Sequence, residues 1–368
     1  MHTTTRRLLR FAVLASMLSA LGCQRETFEP PRGQGPHILV DLYHTRIQNP
    51  EDFRLKKNEY AYQGAHGFAR LFDHLHDHGY PWTSIRETPL STQRLEGFDV
   101  LFINLLHAER PDFTEDEIEA IIDFVEGGGG LFVIADHTNV YYHAERANRF
   151  LVPMGVEISY HSALDVGANS VSGLGWIAIT DLADHPVNAG VDMISFQTGG
   201  TLTKESNGVI ARTSPEGWGD FWNEEDSGGF YGNWSIDEGE PVGSVPVAVA
   251  AEYGQGRIVV VGDQNVFGDS WVHFADNFEH AVNAFEWLAK REDSEGPRLR
   301  DIRPKGFNIG MDTLKNGFRT GNGADRNYYK FFVNLNRDQE VTGSALLRYD
   351  EDIDALVFAA PSSPFDDE

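Results

Sequence analysis

Four strongly apolar runs in this 368-residue chain each stop at an acid or a histidine. HILVDLYH ends on Asp41 and His44, DVLFINLLH on His107, GLFVIADH on Asp136 and His137, and RIVVVGDQN on Asp263. Near-continuous runs of Val, Ile and Leu mark strands buried on both faces, which is the condition of a parallel sheet covered by helices. In open sheets of that kind, ligands bind in the crevice beyond the carboxyl ends of the strands. The runs that constrain the fold therefore also point to one place for a site.

Between the runs the apolar period becomes helical. Phe68, Leu71, Phe72 and Leu75 predict a helix over about 59–78, capped by Asn58 and stopped by Gly79. Thr114 caps a second helix carrying Ile118, Ile121, Ile122 and Val125, and Gly127 to Gly130 lead into the strand at 131–135. A helix at about 144–151, a strand pair at 245–252 and 257–262, and a closing helix at about 277–290 follow. This alternation predicts an α/β domain over 37–291, a doubly wound, mostly parallel sheet with helices on both faces. The segment from about 159 to 245 breaks the rhythm with Gly, Asn, Ser and Trp, and is expected to form short strands of its own or a lid. Tryptophans between glycines stack on sugar rings or pack at a sheet edge; packing is their usual fate.

A formal net charge of −26 opposes binding to nucleic acid phosphates, which needs Lys and Arg in excess. The first 22 residues have the form of an export signal: Arg6, Arg7 and Arg10 precede an apolar run from Phe11 to Leu21 that is too short to span a bilayer. Cys23, the one cysteine in the chain, follows Ser19-Ala20-Leu21-Gly22, which resembles the lipobox of bacterial lipoproteins. That resemblance implies lipidation at Cys23, a tether over 23–36 and a place in the bacterial cell envelope, on the outer membrane or its periplasmic face. A plain secretory signal is the alternative.

The order Asp41-Leu42-Tyr43-His44, Gly127 to Gly130 before Leu131-Phe132-Val133-Ile134, and Gly256 to Asp263 with Asp269, Asp276-Asn277 and Asn283 to Leu288 resembles the class I glutamine amidotransferase-like superfamily. Within it the chain is most similar to a poorly characterised branch that includes ThuA-like proteins and auxiliary proteins of gliding-motility ABC transporters. The resemblance implies a flavodoxin-like fold and supplies no reaction. True amidotransferases carry a cysteine on the turn after the strand at 131–135; this chain has Asp136-His137-Thr138 there, so thiolate catalysis is excluded. A serine elbow is also absent from that turn.

Asp41, His44, His107, Asp263 and Asp269 are ligand-binding candidates at the strand ends, with Asp136 and His137 as the catalytic candidates. His44, His107, Asp136 and His137 are of the residue types that bind Zn, Mn or Fe and activate a water. The same groups serve equally for metal-free general-base work, or the aspartates only cap loops and the histidines are solvated. His143 and His161 are near enough in sequence to reach the crevice. His185, in Asp184-His185-Pro186-Val187, resembles the His-Pro segment of ThuA-like proteins, which implies a place near the pocket. His74 and His78 are expected on a solvated helix face.

The C-terminal segment, 292–368, looks like a partial α/β repeat. Phe307 to Asp312 matches Pro36 to Asp41, Tyr328 to Leu335 matches Phe68 to Leu75, and Ile353 to Phe358 matches Phe98 to Ile103. Its strands are expected to add to the first sheet, to belong to a second domain cut short, or to match by chance. Two functional classes follow: an envelope domain binding a small polar or carbohydrate ligand, or an envelope or ABC-transporter partner, at the Asp/His crevice; or a metal-dependent hydrolase using Asp136 and His137.

Overall fold

The computed structural model describes residues 35–45, 68–166, 170–173, 176–222, 232–268, 272, 274–292, 307–312, 341–346 and 353–358. The expected export signal, Cys23, most of the expected tether, Asn58, Asp269 and the segment 328–335 lie outside these residues. Among the described residues no helix is long and apolar enough to cross a membrane.

Five strands lie parallel in the order β2 (Trp82–Ile85), β1 (Ile38–Asp41), β3 (Val100–Ile103), β4 (Gly130–Ile134) and β14 (Gly256–Val261). The sequence 2-1-3-4-5 of these parallel strands is that of flavodoxin-like sheets. The apolar runs are buried along their whole length: Ile38, Leu39, Val40, Val100, Leu101 and Phe102 are all 0% exposed. The sheet continues antiparallel through β13 (Pro246–Tyr253), β11 (Val209–Arg212) and β8 (Asp181–Leu182), making eight strands.

Helices cover both faces because alternate side chains of each strand point to opposite sides. On one face, α1 (Ala69–Asp77) and α5 (Asn277–Leu288) meet through Phe72 and Phe285, which pack edge-on with Phe102 and Phe132 of the sheet. His74 belongs to this contact: it is 6% exposed and its ring lies 4.8 Å from Phe278, so the solvated face expected for His74 is corrected by the packing of α5. On the other face, α3 (Glu115–Glu126) buries Ile118, Ile121 and Val125 over β4 and β14, with α4 (His143–Leu151) beside it. Thr114 starts α3 with a reciprocal capping box: its hydroxyl accepts from Glu117 N, and the Glu117 carboxylate accepts from Thr114 N at 2.9 Å. A short helix, α2 (Thr92–Leu95), and β2 are elements that the sequence pattern did not reveal.

The irregular segment forms strands. β5 (Ile158–Asp165) lies between β10 (Gly200–Leu202) and β12 (Gly217–Phe221) in one antiparallel sheet, and β7 (Trp176–Ile179) lies between β6 (Ser170–Gly173) and β9 (Ile194–Gln197) in another. Trp218 is buried within β12.

The C-terminal strands do not join the large sheet; β15 (Phe307–Asp312) runs parallel between β16 (Val341–Leu346) and β17 (Ala355–Val357) in a sheet of their own. Its hydrogen bonding follows the opening of the large sheet. His37 N donates to Asp99 Oδ2 at 2.7 Å and Asp99 N to His37 O at 2.9 Å. Asn308 N donates to Asp354 Oδ2 at 2.7 Å and Asp354 N to Asn308 O at 2.9 Å. In both sheets the following residues pair in the same register, Ile38 with Val100 and Ile309 with Ala355.

These clamps predict a difference. Asp99→Ala leaves the buried His37 N–H without its carboxylate and is expected to lower stability by about 1 kcal/mol in urea unfolding. Asp354→Ala, beside half-buried Asn308, is expected to cost less and to speed amide exchange only over 307–312 and 355–357.

Candidate functional site

In a sheet of this order the chain reverses direction between β1 and β3, and the crevice there is the usual ligand site. Here the protein's own groups fill it. Asp41, 0% exposed, accepts from Tyr43 N at 2.8 Å and His44 N at 3.2 Å through Oδ1, and holds His44 Nδ1 at 2.8 Å through Oδ2. The other ring nitrogen of His44 lies 3.2 Å from Glu117 Oε1, outside hydrogen-bond geometry. The ring stacks on Phe113 at 3.9 Å. Both nitrogens of His44 thus face carboxylates inside the fold. Glu117 also accepts from Leu90 N at 2.9 Å, tying the chain before α2 to α3.

The loop after β3 is drawn over this plug. His107 N donates to His44 O, Arg110 Nε to Tyr43 O at 3.0 Å, and Arg146 Nη1 to the carbonyls of His107 and Arg110 at 2.9 and 3.1 Å. The His107 ring lies 4.3 Å from the ring of Tyr141.

A second polar group forms at the ends of β4 and β14. Asp136, 1% exposed, accepts from His137 N at 2.7 Å and from Gln264 Nε2 at 2.6 Å. Asp263, 0% exposed, accepts from Gln197 N and from Asn265 N at 2.7 Å. Burial, and then the Asp136 charge, push the Asp263 carboxyl well above its ordinary value, so the two aspartates hold one negative charge between them more readily than two. His143 reaches this group, as its nearness in sequence suggested. Its Nδ1 donates to Val140 O at 2.8 Å, which leaves Nε2 to accept from Asp136 N at 3.1 Å. Burial lowers its pKa to about 4, so the ring is neutral. Gly200 closes the space beneath: a Cβ there would lie 2.2 Å from Asp136 O.

The turn from β4 into α4 is strained. Thr138, Tyr141 and Tyr142 have φ of 50°, 56° and 60°, a left-handed region that side chains disfavour. Such outliers persist where surrounding contacts hold them, and they concentrate at functional turns. The turn presents Tyr142 to solvent at 48% exposure and brings Tyr141 against His107.

The candidate residues therefore divide. Asp41 and His44 meet at β1, with His107 N bonded to His44 O; Asp136, His137 and Asp263 meet at β4 and β14. His185 lies elsewhere: its ring packs 4.9 Å from Trp287 near the end of α5, and its pKa is lowered by burial and by Arg257, at the start of β14. His161, on β5, packs against Phe221 at 5.6 Å. No three His, Cys, Asp or Glu side chains among the described residues are grouped to hold a metal ion. Of the four expected metal ligands, His44 is clamped between carboxylates, His107 Nδ1 accepts from Glu109 N at 3.2 Å, and both Asp136 oxygens accept hydrogen bonds.

Four amide side chains at these strand ends were not legible as site residues. Among the described residues, Asn104 Oδ1 and Nδ2, Gln197 Nε2, Gln264 Oε1 and Asn265 Oδ1 are buried without a hydrogen-bond partner. Asn104 follows β3, Gln197 ends β9, and Gln264 and Asn265 follow β14. Their one sequence signal is position, directly after an apolar run. Buried amide atoms are ordinarily paired, with protein or with ordered water.

Gln264→Leu is expected to cost about 1–3 kcal/mol by leaving Asp136 Oδ2 without its donor. Gln264→Glu, which adds a third buried carboxylate, is expected to cost about 3–5 kcal/mol; equal losses in chemical denaturation would contradict this account. In the fold Asp263 keeps its proton over a pH range where the unfolded chain has lost it. Its contribution is whole below the ordinary value of 3.8 and is lost as pH rises through the raised folded value. Asp263→Asn should therefore gain stability relative to the parent as pH increases from 4 to 8, read from urea midpoints at each pH.

No curated protein matches the chain in sequence. Among solved structures, it is similar to the mmIFT52 N-terminal domain at 14% identity, over 68% of this chain and 97% of that one, with a TM-score of 0.50. It is also similar to ThuA-like proteins from Bacteroides uniformis (15% identity, 74% and 99% covered, TM-score 0.42) and Parabacteroides merdae (10% identity, 72% and 93% covered, TM-score 0.40). At these identities the likeness is one of fold. The sequence model of a domain of unknown function, DUF4350, matches residues 62–284, and with more than half of its length inside that match the chain belongs to the DUF4350 family.

Proposed function

We propose that this protein is an exported, lipid-anchored binding protein of the cell envelope, whose α/β domain takes a small polar or carbohydrate ligand at the β4–β14 edge of its sheet. The observation that carries the reading is the set of buried amide atoms without partners at Asn104, Gln197, Gln264 and Asn265. Amide groups offer neutral donors and acceptors, which suit hydroxyl-rich, uncharged ligands. The exposed ring of Tyr142 and the Tyr141–His107 pair at the mouth suit a sugar face. The hydrolase reading is weaker because the groups it needs are engaged: both carboxylates accept backbone or amide hydrogen bonds, and the buried His137 ring lies against Thr138 Oγ1, 3.4 Å from its Nδ1, and Asp136 Oδ1, 3.9 Å from its Nε2. Anchoring rests on Cys23 and the residues before it, and an envelope or transporter partner on the resemblance to gliding-motility proteins.

The test is calorimetric titration of the detergent-solubilised full chain with a panel of monosaccharides, disaccharides and polyols. At least one is expected to bind, with affinity falling about tenfold or more in Gln264→Leu and Tyr142→Ala. In cells, Cys23→Ser should leave the chain soluble and unlabelled by palmitate. Failure of the whole panel, together with hydrolysis of a chromogenic ester or glycoside that Asp136→Asn abolishes, would replace the binding reading with the hydrolase one.

A further inference from the structure

The opposite edge of the large sheet, where β3 and β4 begin, carries a different feature. The end of α2, the turn into β3, the carboxyl half of α3 and the glycine turn before β4 line a cavity of about 710 Å³ that opens to solvent. That volume is in the range of small-molecule sites, roughly 300–1,000 Å³. Leu95, Phe98 and Phe124 supply apolar surface, and Glu96, Asp99 and Asp123 supply three exposed carboxylates. No Lys, Arg or His is among the lining residues.

Two further observations give the cavity a sign. It lies at the carboxyl end of α3, where the aligned peptide dipoles leave partial negative charge, and the last turn of that helix has no basic residue to offset it. The nearby Lys290 approaches the glycine turn from outside the lining and is engaged there, its Nζ donating to Gly128 O at 3.0 Å and Gln255 O at 2.7 Å. The Phe124 ring is fixed against Gly129, where a Cβ would come within 2.4 Å of it. An aromatic ring held in a negatively charged cavity favours a cation with an apolar body, through both the field of the carboxylates and the ring quadrupole.

We propose that this cavity is a binding site for an organic cation, an amine or quaternary ammonium borne on an aromatic or aliphatic group. The site is independent of the reading made for the carboxyl edge. Calorimetry and saturation-transfer NMR on the full chain, with benzyltrimethylammonium as the probe and benzyl alcohol as its neutral counterpart, test it. The cation is expected to bind at least about tenfold more tightly than the alcohol. Glu96→Lys and Asp123→Lys, both at exposed positions, should each weaken it by about tenfold while leaving the thermal unfolding profile and any sugar binding at the carboxyl edge unchanged. Absence of cation binding at millimolar concentration, equal binding of the two probes, or binding indifferent to both lysines would overturn the assignment.

Discussion

A carboxylate withdrawn from water loses its hydration shell and must find donors inside the protein or give up its charge. The large sheet buries Asp41, Asp136 and Asp263 to 1% exposure or less, all directly at strand ends. Much of the carboxyl edge follows from meeting that demand. The turns after β1, β4 and β14 curl back so that Tyr43, His44, His137 and Asn265 offer backbone N–H groups to the aspartate just passed. The chain after β9 is brought in as well, because Gln197 N donates to Asp263. Where burial and a neighbouring charge act together, as at Asp263 beside Asp136, the carboxyl is pushed well above its ordinary value.

This demand also decides what the edge can do. A catalytic acid or base needs an oxygen or nitrogen open to substrate, and the aspartates and His44 have theirs turned inward. The amides beside them are buried too, but keep oxygen or nitrogen atoms without partners. The turn after β4 is strained through Thr138, Tyr141 and Tyr142, and it sets the Tyr141 ring against His107.

The central strands were legible in the sequence because apolar runs buried on both faces admit few other structures. The termini of α3 and α5 were nearly so: Thr114 caps the first, and the closing helix expected at about 277–290 forms at Asn277–Leu288. β2 was not, because Trp82-Thr83-Ser84-Ile85 is half-polar and only partly buried at a sheet edge. For the site, the aspartates were found and their roles were not. Nothing in the sequence separates an aspartate that binds a ligand from one that binds the next turn, since that depends on which N–H groups the turn aims at it. Glu117 was hidden for a related reason: a capping-box position explains it completely until the fold lays His44 against it. The unpaired amides of Gln264 and Asn265 emerge only once packing has determined which atoms find partners.

The matching clamps at His37–Asp99 and Asn308–Asp354 solve a problem of alignment. A strand buried on both faces is apolar at nearly every position, so sliding it one residue past its neighbour exchanges one hydrophobic contact for another at little cost. Hydrophobic patterning alone leaves such a strand free to slip. A carboxylate that must meet one particular backbone N–H removes that freedom, because any slip leaves an anion and a donor apart. The aspartate before β3 therefore acts as an index mark, setting where parallel strands begin to count; its counterpart before β17 fixes the same register between strands that are only partly buried.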